Sequence, residues 1–283
     1  MKKNLTKNFS LVLASMLMIF TGGCSAKSDA VITQTNLEEF KSLSISAGAS
    51  DIELLNSDHF ALEVCKRTKD ADPTLTLDDH TLKLDFHPQN SWMDFSNQKR
   101  YIKVYFPNSE KLENVSVETD SGSLSVSPIF VSKFDLNSKS GSSKISLKDP
   151  ECINIKSLSG DLSLDQESSL PVDLNLNITS GSSNLTGDIW GNVNIGKKSG
   201  NLVMKGKFEG DTNINSVSGN TSLECKGSSL EYNSSLSSVS GKISVTENGS
   251  PLVLPNMNSN TNPSNKSMVV NSTSGKISID FKS

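Results

Sequence analysis

From about residue 108 to the end, short runs of alternating apolar and polar residues recur roughly every twenty positions. A Ser-Gly pair marks each cycle, at Gly122, Gly141, Gly160, Gly181, Gly200, Gly219, Gly241 and Gly275, with intervals of 19, 19, 21, 19, 19, 22 and 34. Seven residues before these glycines stand Val115, Phe134, Ile153, Leu174, Val193, Thr212, Ser234 and Met268. Five before stand Val117, Leu136, Ile155, Leu176, Ile195, Ile214, Leu236 and Val270. Positions two apart share one face of a strand, so both columns predict strands with that face inward. Glycine reaches the positive φ of a sharp corner without a Cβ clash. The serine before it can hydrogen-bond the turn backbone.

A strand pair of this length cannot bury its apolar face alone, whereas stacked copies share one continuous narrow core. The pattern therefore predicts an all-β chain, a parallel β-helix or β-solenoid with coils of about 20 residues. After the glycine the apolar pairs sit at +2 and +4 in some cycles (Leu124/Val126, Leu162/Leu164, Leu202/Met204). They sit at +4 and +6 in others (Ile145/Leu147, Leu223/Cys225), with Leu185 at +4. This predicts a turn about two residues longer after Gly141, Gly181 and Gly219. Eleven before the glycine, Phe130, Leu170, Ile189, Phe208 and Leu230 suggest a second inward corner, which Asp149 interrupts.

Residues 37–107 lack the Ser-Gly beat but read as a β-rich segment capping the array. Leu43/Ile45, Ala47-Gly48 and Ile52/Leu54 form a weak echo of the repeat. Leu75/Leu77 and Leu82/Leu84/Phe86 flank Asp78-Asp79-His80 as a hairpin. Tyr101–Phe106 is a strand ended by Pro107, and Trp92, Met93 and Phe95 fall in a loop expected to cover an edge. Within the repeat region 108–283, residues 246–267 are an insertion rich in Asn, Ser and Pro. Its apolar knot Leu252-Val253-Leu254 is expected to fold over the last coils, because repeat arrays need capped ends. The chain stops soon after Ile277/Ile279/Phe281, so little sequence follows to cover that last strand.

The first 23 residues read as a secretory signal: Lys2, Lys3 and Lys7, then an apolar run from Phe9 to Phe20, then Thr21-Gly22-Gly23 before Cys24. This resembles a bacterial lipoprotein signal with Cys24 as the acylated first residue, followed by a tether over 24–36. Thr21 stands where that pattern prefers Leu. The resemblance implies two or three acyl chains, enough for stable anchoring to a membrane, and hence an extracytoplasmic place at the cell membrane or surface. Composition agrees with a narrow core: 34% hydrophobic residues and 6% aromatics. Net charge is −4, and loss of the three leader lysines leaves 24 basic against 31 acidic residues, net −7. That balance disfavours nucleic acid as a partner.

Candidate chemistry is sparse. One outward column, six before each glycine, carries Asn154, Asn175, Asn194 and Asn213 in four consecutive coils. Stacked in parallel they would form either a stabilising amide ladder or a polar binding strip for a glycan or envelope protein. Asn137, Asn177, Asn215 and Asn271 add amides two positions along. Cys65, Cys152 and Cys225 are odd in number and lack metal-ligand spacing, and coil register puts Cys152 and Cys225 roughly 14 Å apart, too far for a disulfide. No phosphate loop or nucleophile elbow is evident, so no metal or cofactor is expected. Glycosidases need paired carboxyls. Asp120 and Asp161 are the nearest candidates but lie two coils apart.

Val104-Tyr105-Phe106-Pro107, then Leu112, Val115, Val117 and Ser121-Gly122-Ser123-Leu124, then repeated Ser-Gly-x-Ile/Leu units, resemble the bacterial putative-adhesin family of β-strand repeats. Leu82-Lys83-Leu84 fits the front segment of that family. The resemblance, over about 37–283, implies a β-solenoid with a cell-surface role. Three functions follow as expectations: a non-enzymatic, lipid-anchored adhesive or structural protein; an accessory in envelope-stress sensing; or a β-helix carbohydrate-active enzyme.

Overall fold

The computed structural model describes residues 18–20, 29–67, 69–88, 100–252 and 266–283. They are almost all strand, and the one helical element among them is the 3-10 turn Ser229–Glu231. The repeat strands pair parallel and in register in two ladders. The first ladder runs Thr81–Phe86, Ser42–Ala49, Leu112–Ser121, the second half of Leu124–Ser138, then Cys152–Ser157 and Val172–Ile178. It continues through the second half of Ser183–Lys197, Thr212–Ser218, Lys266–Ser274 and Tyr232–Ser240. The second ladder runs Tyr101–Pro107, Asp51–Ser57, the first half of Leu124–Ser138, then Ser143–Lys148 and Leu162–Glu167. It continues through the first half of Ser183–Lys197, Leu202–Phe208, Thr221–Lys226, Ile277–Lys282 and Ile243–Glu247. The two 15-residue strands turn the corner and serve both ladders.

The columns seven and five before the glycines are buried almost throughout, Leu236 being only partly covered. Gly160 shows why the corner is glycine. Its φ is +114°, and a Cβ there would lie 2.1 Å from the carbonyl oxygen of Gly141 in the next coil. In the first coil the corner place is taken by the buried Ser50, not by Gly48, and Leu43, Ile45, Ile52 and Leu54 then fall into the same columns as the later repeats.

Three expectations are corrected. The turns after Gly141, Gly181 and Gly219 are not longer. Ser143, Ser183 and Thr221 are register partners of Leu124, Leu162, Leu202 and Ile277, and all three are buried. The inward +2 site alternates large apolar with small polar residues. The column eleven before the glycine is not one inward corner either. Phe208 is buried, but Leu170 and Leu230 are exposed. A register shift between Thr186 and Ile189 turns Trp190 inward beside Phe208 in place of Ile189. The Trp190 ring lies under Gly187 and Gly206, where any side chain would overlap it, and its Nε1 donates to the Lys205 carbonyl (2.9 Å).

The last coil does not end the stack. It inserts between the Gly219 and Gly241 coils: Gly275 packs on Gly219, and Gly241 packs on Gly275. Met268, Val270, Ile277, Ile279 and Phe281 are therefore fully covered, while Ile243 and Val239 of the outer coil are exposed. The more apolar coil takes the inner place, as burial free energy favours. Leu252 packs against the core, and its N–H donates to the Val245 carbonyl. Val253 and Leu254, and likewise Trp92, Met93 and Phe95, lie outside the described residues.

At the front, Thr74–Asp78 and Thr81–Phe86 form the expected hairpin, with Asp79 and His80 both at positive φ. Ala61–Arg67 adds antiparallel to Tyr101–Pro107, and Asp29–Thr35 adds to Ala61–Arg67. Much of the segment read as a tether is thus an added strand, with Met18–Phe20 paired beside it.

Candidate functional site

The outward faces carry what chemistry the chain displays. Side chains two positions apart on a strand share a face, so each outward column in the first ladder becomes a line running across the strands. Asp135, Asn154, Asn175, Asn194 and Asn213 are successive register partners on that face. A second line runs Glu118, Asn137, Lys156, Asn177, Gly196, Asn215 and Asn271. All of these except Asn213 and Asn271 floor an open trough of about 700 Å³ that crosses six strands, from Ser116 to Asn215. All four asparagines of the expected strip therefore lie together, three of them exposed and Asn154 half-buried.

The amides are partly laddered. Lys133 pairs with Asp135 (3.0 Å), whose other oxygen accepts from the Asn154 amide (2.7 Å). Asn175 donates to Asn154 Oδ1 (2.9 Å), and the Cys152 thiol donates to the same oxygen (3.7 Å). Farther along, Asn215 donates to Asn213 Oδ1 and Asn271 donates to Asn215 Oδ1, both at 3.0 Å. No side-chain hydrogen bond joins Asn175 to Asn194 or Asn194 to Asn213 among the described residues. The amide ladder thus forms on two stretches of the line and is interrupted between them.

The sequence reading passed over three features. A second trough of about 840 Å³ lies on the other ladder, lined by Ser125, Lys144, Ser163, Asn184 and Lys205 among others. Gly196 leaves a gap in the second amide line. Lys197 points inward and is buried. Its ammonium donates to the Gly181 carbonyl and to Ser183 Oγ (3.2 Å), and burial pulls its pKa down to about 8. The Ser138, Ser157 and Ser216 positions in the same column could have flagged Lys197 as inward-facing.

The two carboxylates weighed as a catalytic pair have structural contacts. Asp161 Oδ1 accepts from the Ser182 N–H (2.8 Å), stapling one coil to the next, and Asp120 pairs with Lys139. Cys152 and Cys225 are free thiols, and Cys65 is buried. Burial pushes the Cys225 thiol up to about 12. Among the described residues no three His, Cys, Asp or Glu side chains gather as a metal site. Cys24 lies outside the described residues.

No curated protein matches this sequence. Solved structures are similar at low identity. A putative adhesin from Bacteroides fragilis is 15% identical over 89% of this chain and 96% of its own, with a TM-score of 0.39. A putative cell adhesion protein from Clostridium sporogenes is 11% identical over 89% of this chain and 99% of its own (TM-score 0.29). A putative lipid binding protein from Parabacteroides distasonis is 15% identical over 89% and 96% (TM-score 0.30). The sequence model that matches this chain covers residues 40–280, nearly the whole of the two ladders, and the chain belongs to the Toastrack DUF4097 family.

Proposed function

We propose that this protein is a non-enzymatic binding or structural module of the bacterial cell surface, a β-solenoid held at the membrane by lipid on Cys24. The observation that carries the binding reading is the first-ladder trough, a rigid outward face of amides crossing six strands. A face fixed by backbone ladders on both sides presents its donors and acceptors with little entropy left to lose on binding. The partner is a glycan or an envelope protein. The in-register glycine corners support coils of one solenoid.

Two measurements test this separately. Expression in a bacterial host with radiolabelled palmitate should label the wild-type chain and leave Cys24→Ser unlabelled. An unlabelled wild type removes the anchor. Purified whole chain in detergent, presented to a glycan array and to envelope fractions, should retain a polymer or protein. Retention of nothing, or release of reducing sugar from the polymers, overturns the non-enzymatic binding role.

A further inference from the structure

The interruption in the amide ladder coincides with the gap in the neighbouring line. Asp135, Asn154 and Asn175 are joined on one side, and Asn213, Asn215 and Asn271 on the other. Between them, Asn194 and Asn177 donate to no neighbouring side chain among the described residues. Beside both stands Gly196, in register with Asn177 and Asn215. Glycine inside a strand weakens it and needs a reason. Here the backbone supplies none: Gly196 does not adopt positive φ, and a Cβ on it would meet only Asn177 Oδ1, at 3.9 Å. What the glycine does is hold open a notch in the trough floor, walled by Asn175, Asn177, Asn194 and Asn215.

We infer that this notch is the central subsite for a neutral, β-linked polysaccharide lying along the stack axis, across the strands. The inference rests on the surface-binding reading above and names its ligand. Stacked strands repeat every ~4.8 Å, so two strands span roughly one disaccharide of an extended β-1,4-linked hexopyranose chain, whose alternate sugars face the same way and meet equivalent amides. Each asparagine offers both donors and an acceptor, which suits hydroxyl and acetamido groups. The notch itself is uncharged. Along the trough Asp135 is paired with Lys133, and Glu118 is balanced by Lys156, so the floor has no net charge to attract a polyanion. A coiled α-linked chain cannot keep this register along a straight line of amides.

Calorimetric titration of the purified whole chain in detergent tests this with chitohexaose and cellohexaose, against maltohexaose and polygalacturonate. At least one β-linked hexaose should bind, at least tenfold more tightly than its disaccharide, and the other two polymers should not. Tighter chitohexaose binding assigns the notch to an acetamido group; equal binding assigns it to hydroxyls. Gly196→Asn fills the notch without touching the core, and should weaken binding tenfold or more at an unchanged melting temperature. The Asn177→Ala/Asn194→Ala pair should do the same. Hexaose binding that survives both variants, or equal binding of the α-linked or anionic polymer, overturns the subsite and leaves the broader binding role standing. If the array and envelope fractions also retain nothing, both readings fall together.

Discussion

A methyl group is excluded at Gly160 and tolerated at Gly196, although both glycines stand in the repeat. At Gly160 it would occupy the space of the Gly141 carbonyl while holding a non-glycine residue at φ +114°. Backbone strain of about 1–3 kcal/mol and a comparable overpacking cost both apply. Chemical denaturation of Gly160→Ala should therefore show a loss of about 3 kcal/mol or more, and Gly196→Ala a change within about 0.5 kcal/mol. Equal losses would remove the distinction between a corner glycine and a notch glycine. Lys197 poses the opposite problem, a charge held inside. Its folded pKa of about 8 lies below the ordinary 10.5, so the unfolded chain binds more protons between those values. Stability from this group therefore rises as pH climbs from about 8 to about 10.5. Cys225, pushed up to about 12, works the other way above pH 9. A comparison with Lys197→Met cancels that contribution. The methionine variant should be about 1–3 kcal/mol more stable at pH 7, and the gap should shrink by pH 10. A gap that stays constant with pH would show that Lys197 is not buried as a cation.

At the scale of the strand, alternation was enough to place the two inward columns and the asparagine strip, because the outward and inward faces differ at every second residue. It misplaced the strand starts after Gly141, Gly181 and Gly219. Ser143, Ser183 and Thr221 are inward but polar, and hydrophobic patterning treats an inward hydroxyl as turn. Trp190 was missed because a bulge shifts the register by a residue, and only the packing against Gly187 and Gly206 reveals it. The notch at Gly196 was invisible for a simpler reason: it is the absence of a side chain within a column of patchy asparagines. The stacking order of the last coils had no local signal, since a coil's own pattern is the same whichever neighbour it meets. It is testable by hydrogen exchange. Lys266–Ser274 has partners on both sides, Thr212–Ser218 and Tyr232–Ser240, whereas Tyr232–Ser240 pairs on one side only among the described residues. Amides of Met268 to Ser272 should exchange at least tenfold more slowly than those of Ser234 to Ser238. A stack built in chain order predicts the reverse.

For the whole molecule, both ends are threaded out of sequence. Ser42–Ala49 and Asp51–Ser57 lie between Thr81–Phe86 and Tyr101–Pro107 on one side and the Gly122 coil on the other. The last coil likewise lies inside the Gly241 coil. In a repeat array built in chain order, losing the final coil removes one interface and leaves the rest capped much as before. Here it removes the coil on which the outer one rests. Met268, Val270, Ile277, Ile279 and Phe281 are all buried. At ~1.5–3 kcal/mol each their burial amounts to at most about 8–15 kcal/mol, on the scale of a domain's entire stability. Truncation after Leu252 should therefore disorder Tyr232–Glu247 as well, although those residues are still present. Limited proteolysis followed by mass spectrometry should trim the truncated chain back to about Lys226, the end of the Gly219 coil, while the full-length chain resists cleavage within Tyr232–Glu247. A truncated chain protected through Glu247 would show that the Gly241 coil docks directly on the Gly219 coil without the last coil between them.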